Sequence, residues 1–475
     1  MPSFRVRFAP QRAYHTDQNE TSTAVPNETE TKPTHTRTRS GCRGCRQRRV
    51  KCDETFPVCL RCRRRGSICQ PVLPASQWQP EVWCLGTADP LSQLTQPINF
   101  DADVNLRLLQ YWFERMSQIM SLDRDRNPMS FPIVKYLSAS NSLVYVIQCV
   151  SAAHEQHFQP SHMTASLEER SKALRNLRQE LQSQSLSSPL CFLVILMLGM
   201  SSSWITTQPT DYGREHLLAA QASVEMTLEQ QDRVDDDLVH LSMGFYVYWD
   251  MACSFCLDIA DHTQVSRSRL AAYVTTARSR FHTITSHSID LYFLLGQLGR
   301  YCRSIADGMP RDFVRETTFE AELNSYTSAE ENQFAYLLAE AFRNHGLLML
   351  YRLCGRTVHF ALEVETDSEE GASKCPIRAL ALRTLEMLFI TPINSPYVNL
   401  HTLPLLSAAA ELESTDTELR ERVIEQLQVV YSTNRIPPTL WVIELLQELW
   451  NLHDSGIEIT WLDLMLVKQW RLRIG

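Results

Sequence analysis

The stretch GCRGCRQRRVKCDETFPVCLRCRRRGSICQ, residues 41–70, carries six cysteines in the pattern C-x2-C-x6-C-x6-C-x2-C-x6-C. They are Cys42, Cys45, Cys52, Cys59, Cys62 and Cys69. Two equal halves are joined by six residues. Thiolates select zinc, and a structural zinc takes four ligands in a tetrahedron. Six sulfurs fill two tetrahedra only when two of them bridge both ions, and the repeated half-pattern points to one bridge from each half. Each C-x2-C pair opens a helical turn, where residues three apart share a face. Six thiolates against two divalent ions leave a core charge of about −2. The surrounding Arg43, Arg46, Arg48, Arg49, Lys51, Arg61, Arg63, Arg64 and Arg65 offset that charge. A module of roughly 30 residues is too small to rest on a hydrophobic core, so metal must supply its folding energy.

A disulfide framework suits small secreted chains, whereas this chain has 475 residues and no secretory apolar segment. The competing reading of another class is a metal- or redox-responsive interaction protein whose cysteine cluster does not read DNA. Charge separates the two. The net charge of −8 hides two unlike parts. Residues 1–75 hold 15 Lys and Arg against 6 Asp and Glu, a net of +9, which leaves −17 on the rest. A compact basic module on an acidic body is an electrostatic footprint for nucleic acid. RQRRVK, between Cys45 and Cys52, reads as a short helix whose basic residues cannot all face one way. Some meet phosphates and one or two reach base edges, where arginine is suited to a bidentate contact with guanine.

The segment from Ser40 to Gln70 closely resembles the fungal zinc binuclear cluster DNA-binding domain. The six cysteine spacings, the basic run RQRRVKCD and Pro57 two residues before Cys59 carry that likeness. The resemblance implies two zinc ions per chain, bridged by Cys42 and Cys59. It also implies that Arg48 and Arg49 approach a CGG-type triplet in the major groove, while Arg46 and Lys51 touch phosphates. Well-known members follow the cluster with a heptad coiled coil that sets dimer spacing. Here Pro71, Pro74, Pro80 and Pro90 exclude a long helix in that place. Binding as a monomer and dimerisation through the C-terminal body both stay open.

Residues 1–36, polar and poor in apolar clusters, read as a disordered tail. The zinc module takes 37–70 and a linker 71–100. The remainder, 101–475, reads as a helical regulatory domain. The expected fold class is mostly α: a small zinc-organised DNA-binding module joined by a Pro-containing linker to a large all-helical regulatory domain. A helix is expected over about 102–120, capped by Asp101 or Asp103, with Val104, Leu108, Leu109, Trp112, Met116, Ile119 and Met120 on one face. Others are expected near 141–158, 166–184, 213–229, 236–260, 289–304, 330–354, 376–390, 401–412, 416–431, 439–453 and 460–470. Acidic or polar loops fall at 230–235 and 364–375. The run LCFLVILMLGM, residues 190–200, is too short to span a bilayer and reads as a buried helix, so no membrane is expected. This order, with the stretch from Leu108 to Phe158, resembles the fungal-specific transcription factor domain that often accompanies such clusters.

Other motifs have plainer readings. Cys253 and Cys256 form a second C-x2-C in apolar helical surroundings and read as core cysteines. His154, Glu155 and His157 are one residue short of the zincin spacing and read as a helix end. Trp441, Leu445, Leu449 and Trp461 read as closing the helical core rather than as an activation segment. No P-loop, dinucleotide fingerprint or G-x-S-x-G elbow occurs, so no enzyme is expected. The sequence thus describes a nuclear, sequence-specific regulator of RNA polymerase II genes, of a kind that often controls secondary-metabolite clusters. Its expected partners are double-stranded DNA and coactivators of the transcription machinery.

Overall fold

The computed structural model describes residues 41–53, 58–69, 103–157, 163–205, 208–229, 235–258, 267–354 and 376–474. The expected tail, the linker over 71–100 and, but for Asp235, the acidic loops lie outside the described residues. Helices α1 (Arg43–Gln47) and α2 (Leu60–Arg63) form the cysteine module. The body begins with α3 (Leu106–Tyr111), which passes through a π-helical turn (Trp112–Met116) into α4 (Ser117–Ile119). After α5 (Val134–Leu137) come α6 (Asn141–Gln156), α7 (Met163–Gln182), α8 (Ser188–Ile205) and α9 (Arg214–Glu229). Next are α10 (Asp236–Ala252), α11 (Arg267–Ala277), α12 (Ile289–Ala306), α13 (Phe313–Ser325) and α14 (Gln333–Cys354). The chain closes with α15 (Pro376–Ile390), α16 (Thr402–Ala409), α17 (Thr417–Asn434), α18 (Pro438–Asp454) and α19 (Trp461–Val467). Among the described residues no β-strand occurs, and one isolated bridge joins His282 to Ser286. The architecture is therefore the expected one, a cysteine module with a large all-helical body.

Local chemistry explains the elements. Ser140 caps α6 by accepting from the Leu143 N–H at 3.1 Å, and Leu143, Val144, Val146, Ile147 and Val150 are then buried along it. Helix α7 is amphipathic and turns Ala173 and Leu177 inward. Helix α8 is apolar on every side, so it must be covered on every side. Phe192, Leu193, Val194, Met197 and Leu198 have no exposed surface, and α6, α9 and α10 pack around them. By length and composition α8 could cross a membrane, yet 78% of it is buried inside the protein. Its helix runs past the 11-residue apolar run through Trp204. Burial, rather than shortness, therefore makes it a core helix.

Further packing runs α10 on α12, α12 on α14, and α14 on α15 and α16. Glycine on α12 permits close approach of the chain just past the end of α10, because a Cβ on Gly299 would stand 2.0 Å from Ser254 Oγ. The charged groups in that seam are paired. Arg300 meets Asp250 at 2.6 Å with both side chains buried, as a buried charge requires.

Two expectations about boundaries are corrected. The first body helix is capped by neither Asp101 nor Asp103. Asn105 does this, accepting from the Leu108 N–H at 3.3 Å. The helix expected over 102–120 is also not regular, since the π-helical turn breaks it at Trp112–Met116. Helices α11 and α13 were not foreseen. They carry many Thr, Arg and Glu among their apolar residues, which blurs the 3.6-residue period. Leu445 and Leu449 are fully buried, Trp461 is buried and Trp441 is half-buried against the core, so the C-terminal segment closes the body.

Candidate metal centre and nucleic-acid interface

The two halves of the module open in the same way. Cys42 precedes α1, and its sulfur accepts from the Cys45 N–H at 3.3 Å. Cys59 precedes α2 and accepts from the Cys62 N–H at 3.4 Å. A sulfur here does what a Ser or Asp oxygen does at an ordinary helix start. It also gains N–H donors that offset thiolate charge. The Asp53 carboxylate accepts from the Leu60 and Arg61 N–H groups at 2.9 and 3.2 Å, which ties the first half to the start of the second. Cys69 returns to the cluster with its sulfur accepting from the Cys59 N–H at 3.4 Å.

The six sulfurs fall into two overlapping sets. Cys42, Cys59, Cys62 and Cys69 lie within 4.8 Å of one another, and so do Cys42, Cys45, Cys52 and Cys59. Cys42 and Cys59 stand in both sets. Their sulfurs are 3.7 Å apart, as are the pairs Cys42–Cys62 and Cys45–Cys59. Two sulfurs each about 2.3 Å from one zinc at the tetrahedral angle stand about 3.8 Å apart. The donor set therefore fits a pair of tetrahedra that share an edge. Every described cysteine is a free thiol, and 3.7 Å is far beyond the ~2.05 Å of a disulfide. Burial pushes the thiols of Cys42 and Cys59 up, and that of Cys69 up to about 12. Burial also raises Cys62, but hydrogen bonds from Cys59 and Arg48 outweigh it and hold that thiol at about 7. Metal uptake at such a site releases protons.

The basic run between Cys45 and Cys52 is less helical than its sequence suggests. Helix α1 ends at Gln47, and Arg49 takes a left-handed backbone with φ 56°. That turn sends neighbouring arginines in different directions. Arg46, Arg49 and Lys51 are exposed. Arg48 folds back onto the cluster, with Nη2 3.3 Å from Cys62 Sγ and Nη1 3.4 Å from Ser67 Oγ. The resemblance had placed Arg48 beside Arg49 at the bases, whereas here its guanidinium faces sulfur. Spacing alone could not have shown this, because it depends on how the second half folds against the first.

The body carries the module on α17. The Cys69 N–H donates to Ser432 Oγ at 3.2 Å, and Arg63 Nε meets Glu425 at 2.9 Å. Val398, Val429 and Val430 are buried in one cluster with Val58 and the cysteines. These body residues had no signal in the sequence, since the seat is built from positions more than 300 residues away. Arg46, Arg49 and Lys51 stay open while the Cys69 end is held. The salt bridge is half exposed on both sides, so it contributes at most about 1 kcal/mol and the valines carry the contact. Val429→Asp is accordingly expected to raise amide hydrogen exchange across residues 58–69 and leave α6 unchanged. Unaltered exchange in 58–69 would show that α17 does not hold the module.

The remaining motifs are structural. Cys253 and Cys256 are buried in the core, and the Cys256 thiol donates to the Leu472 carbonyl at 3.0 Å. His154 and His157 sit where α6 ends. His154 bonds the Tyr111 hydroxyl at 2.8 Å and the Thr433 carbonyl at 2.9 Å, and His157 bonds the Tyr431 hydroxyl at 3.1 Å. Burial holds both imidazoles below their ordinary range, about 4 for His157, so they stay neutral. They fasten α6 to α17.

A six-sulfur module with an exposed basic turn, carried on an all-helical body, defines a class of DNA-binding proteins, and sequence comparison agrees. The chain belongs to the family of the fungal specific transcription factor domain, whose model matches residues 107–474. The fungal Zn(2)-Cys(6) binuclear cluster domain matches residues 40–79. Among curated proteins, the fungal-type transcription factor afumD of Aspergillus fumigatus is 30% identical over 129 residues, covering 26% of this chain and 35% of that protein. The transcriptional regulatory protein moc3 of Schizosaccharomyces pombe is 49% identical over 49 residues, 10% of either chain. The aspercryptin biosynthesis cluster-specific transcription regulator atnN of Emericella nidulans is 49% identical over 45 residues, 10% of this chain and 7% of that one. The chain thus spans about a third of the first relative's length and a tenth or less of the others'. No solved structure matches.

Proposed function

We propose that this protein is a nuclear, sequence-specific DNA-binding regulator of RNA polymerase II genes that controls a biosynthetic gene cluster, and that it is not an enzyme. One observation carries the reading: three exposed cations, Arg46, Arg49 and Lys51, project from a turn fixed by a six-sulfur cluster. The cluster domain supports a DNA-binding role. The printed function of atnN, regulation of a biosynthesis cluster, supports the kind of target.

The reading assigns two zinc ions to the six cysteines, with Cys42 and Cys59 shared. Bound zinc supplies cross-links that replace a hydrophobic core. Arg49 reads guanine in a CGG-type triplet, Arg46 and Lys51 hold phosphates, and Arg48 neutralises the cluster from within. Coactivators meet the helical body. Residues 1–36 serve as a tail, 37–70 as the DNA module, 71–100 as the linker and 101–475 as the regulatory domain. The number of triplets in selected sites separates a monomer, with one, from a dimer joined through the body, with two.

Selection of bound sequences from a random duplex pool tests the reading. Enrichment of a CGG-type triplet is expected, and recovery of an unenriched pool would overturn it. Binding should also weaken steeply with salt. The two phosphate contacts, by Arg46 and Lys51, release counterions with a slope of about −1.8 in log affinity against log salt. Titration between 50 and 200 mM salt, about a 12-fold change at that slope, checks this, and a flat response contradicts it.

A further inference from the structure

Between the π-helical turn, α8, α10 and the last residues of the chain lies a cavity of about 90 Å³. Met116, Met120, Met200, Trp204 and Phe245 give it a largely apolar wall. Methionine adapts to irregular shapes, so such a wall can accommodate a guest. A void of this kind is smaller than, though comparable with, the ~150 Å³ apolar cavity that takes up benzene.

Four polar side chains in the wall lack, among the described residues, the partners that burial demands. The Tyr248 hydroxyl, Trp249 Nε1 and Asn434 Oδ1 are buried without a hydrogen-bond partner. Arg473 is 6% exposed. Among the described residues its guanidinium makes one long hydrogen-bond contact, Nη1 to the Gly199 carbonyl at 3.4 Å. Among the described residues no carboxylate lies within ion-pairing distance of it. Of the other buried arginines in the body, Arg300 pairs with Asp250 at 2.6 Å and Arg303 with Asp258 at 2.7 Å, while Arg435 donates to the His154 carbonyl at 2.7 Å. A buried cation left alone is costly, and buried hydroxyl and amide groups normally find partners. An apolar hollow with a few convergent polar groups is the usual form of a small-molecule site.

We propose that this cavity binds a small apolar carboxylic acid. Its carboxylate pairs with Arg473 and accepts from the Tyr248 hydroxyl, while its short branched body fills the methionine and aromatic wall. Asn434 Oδ1 accepts from a donor on the same molecule, such as a hydroxyl. The site lies wholly in the helical body and stands independently of the DNA reading.

The test titrates the full chain with propionate and isobutyrate, each against its uncharged amide, by calorimetry and by tryptophan fluorescence, since Trp204 lines the cavity. At least one acid is expected to bind tenfold or more tightly than its amide. Arg473→Gln should erase that preference, Tyr248→Phe should weaken the acid several-fold, and Ala252→Leu should fill the hollow and remove both ligands. Where Arg473→Gln fails to fold by circular dichroism, the other two variants decide. The proposal is overturned if neither acid binds the folded protein at millimolar concentration. It is equally overturned if acid and amide bind alike, or if Ala252→Leu binds as the unaltered chain does.

Discussion

Alanine in place of Cys42 or Cys59 is expected to strip the protein of both metal ions and to abolish DNA binding. The reason is geometric. These two sulfurs stand in both four-sulfur sets, so either loss leaves each set one donor short. Cys45, Cys52, Cys62 and Cys69 each stand in one set, and alanine there empties one site directly. A structural zinc contributes on the order of 10–16 kcal/mol to such modules. Little else holds this one. Among its described residues Val58 is the one buried aliphatic side chain, beside the valines of the body. Chelation should reproduce the double loss. Elemental analysis should find two zincs per chain before substitution and close to none in Cys59→Ala, with affinity for a selected site falling more than 100-fold. Two zincs retained in Cys59→Ala would sink the shared-sulfur arrangement.

Arg49→Ala is expected to lose about 1–3 kcal/mol of discrimination, roughly 5- to 150-fold, between a matched site and one altered at the guanines. Alanine keeps a Cβ, so the left-handed backbone at position 49 carries the same strain as before. The change therefore reports the guanidinium rather than the turn. Arg46→Ala should instead weaken matched and altered sites alike, since a phosphate contact carries no sequence information. Arg48→Ala should act differently again, by loosening metal retention, because its guanidinium lies on Cys62 Sγ. Competition binding on matched and altered duplexes separates these outcomes. An equal loss on both duplexes for Arg49→Ala would remove it from base recognition.

Much of this was legible in the chain. The cysteine spacing could be read because the ligands fall within 28 consecutive residues and the chemistry of sulfur limits what they can hold. Helices α6, α8 and α14 could be read because their apolar residues recur over three or more turns. Helices α11 and α13 escaped because mixed composition hides the period. The start of α3 escaped because Asn105, Asp103 and Asp101 are all good caps, and only the fit of α3 against α6 chooses among them.

The amino-acid order alone determined the six-sulfur cluster, the basic turn and the helical character of the body, since each depends on near neighbours and short-range chemistry. The tertiary structure alone decided which arginine faces sulfur and which faces solvent, that α17 seats the module, and that Arg473 lies beside a hollow with no carboxylate partner among the described residues. Those outcomes bring together groups far apart in the chain. Their energies come from packing and desolvation, which no local spacing records.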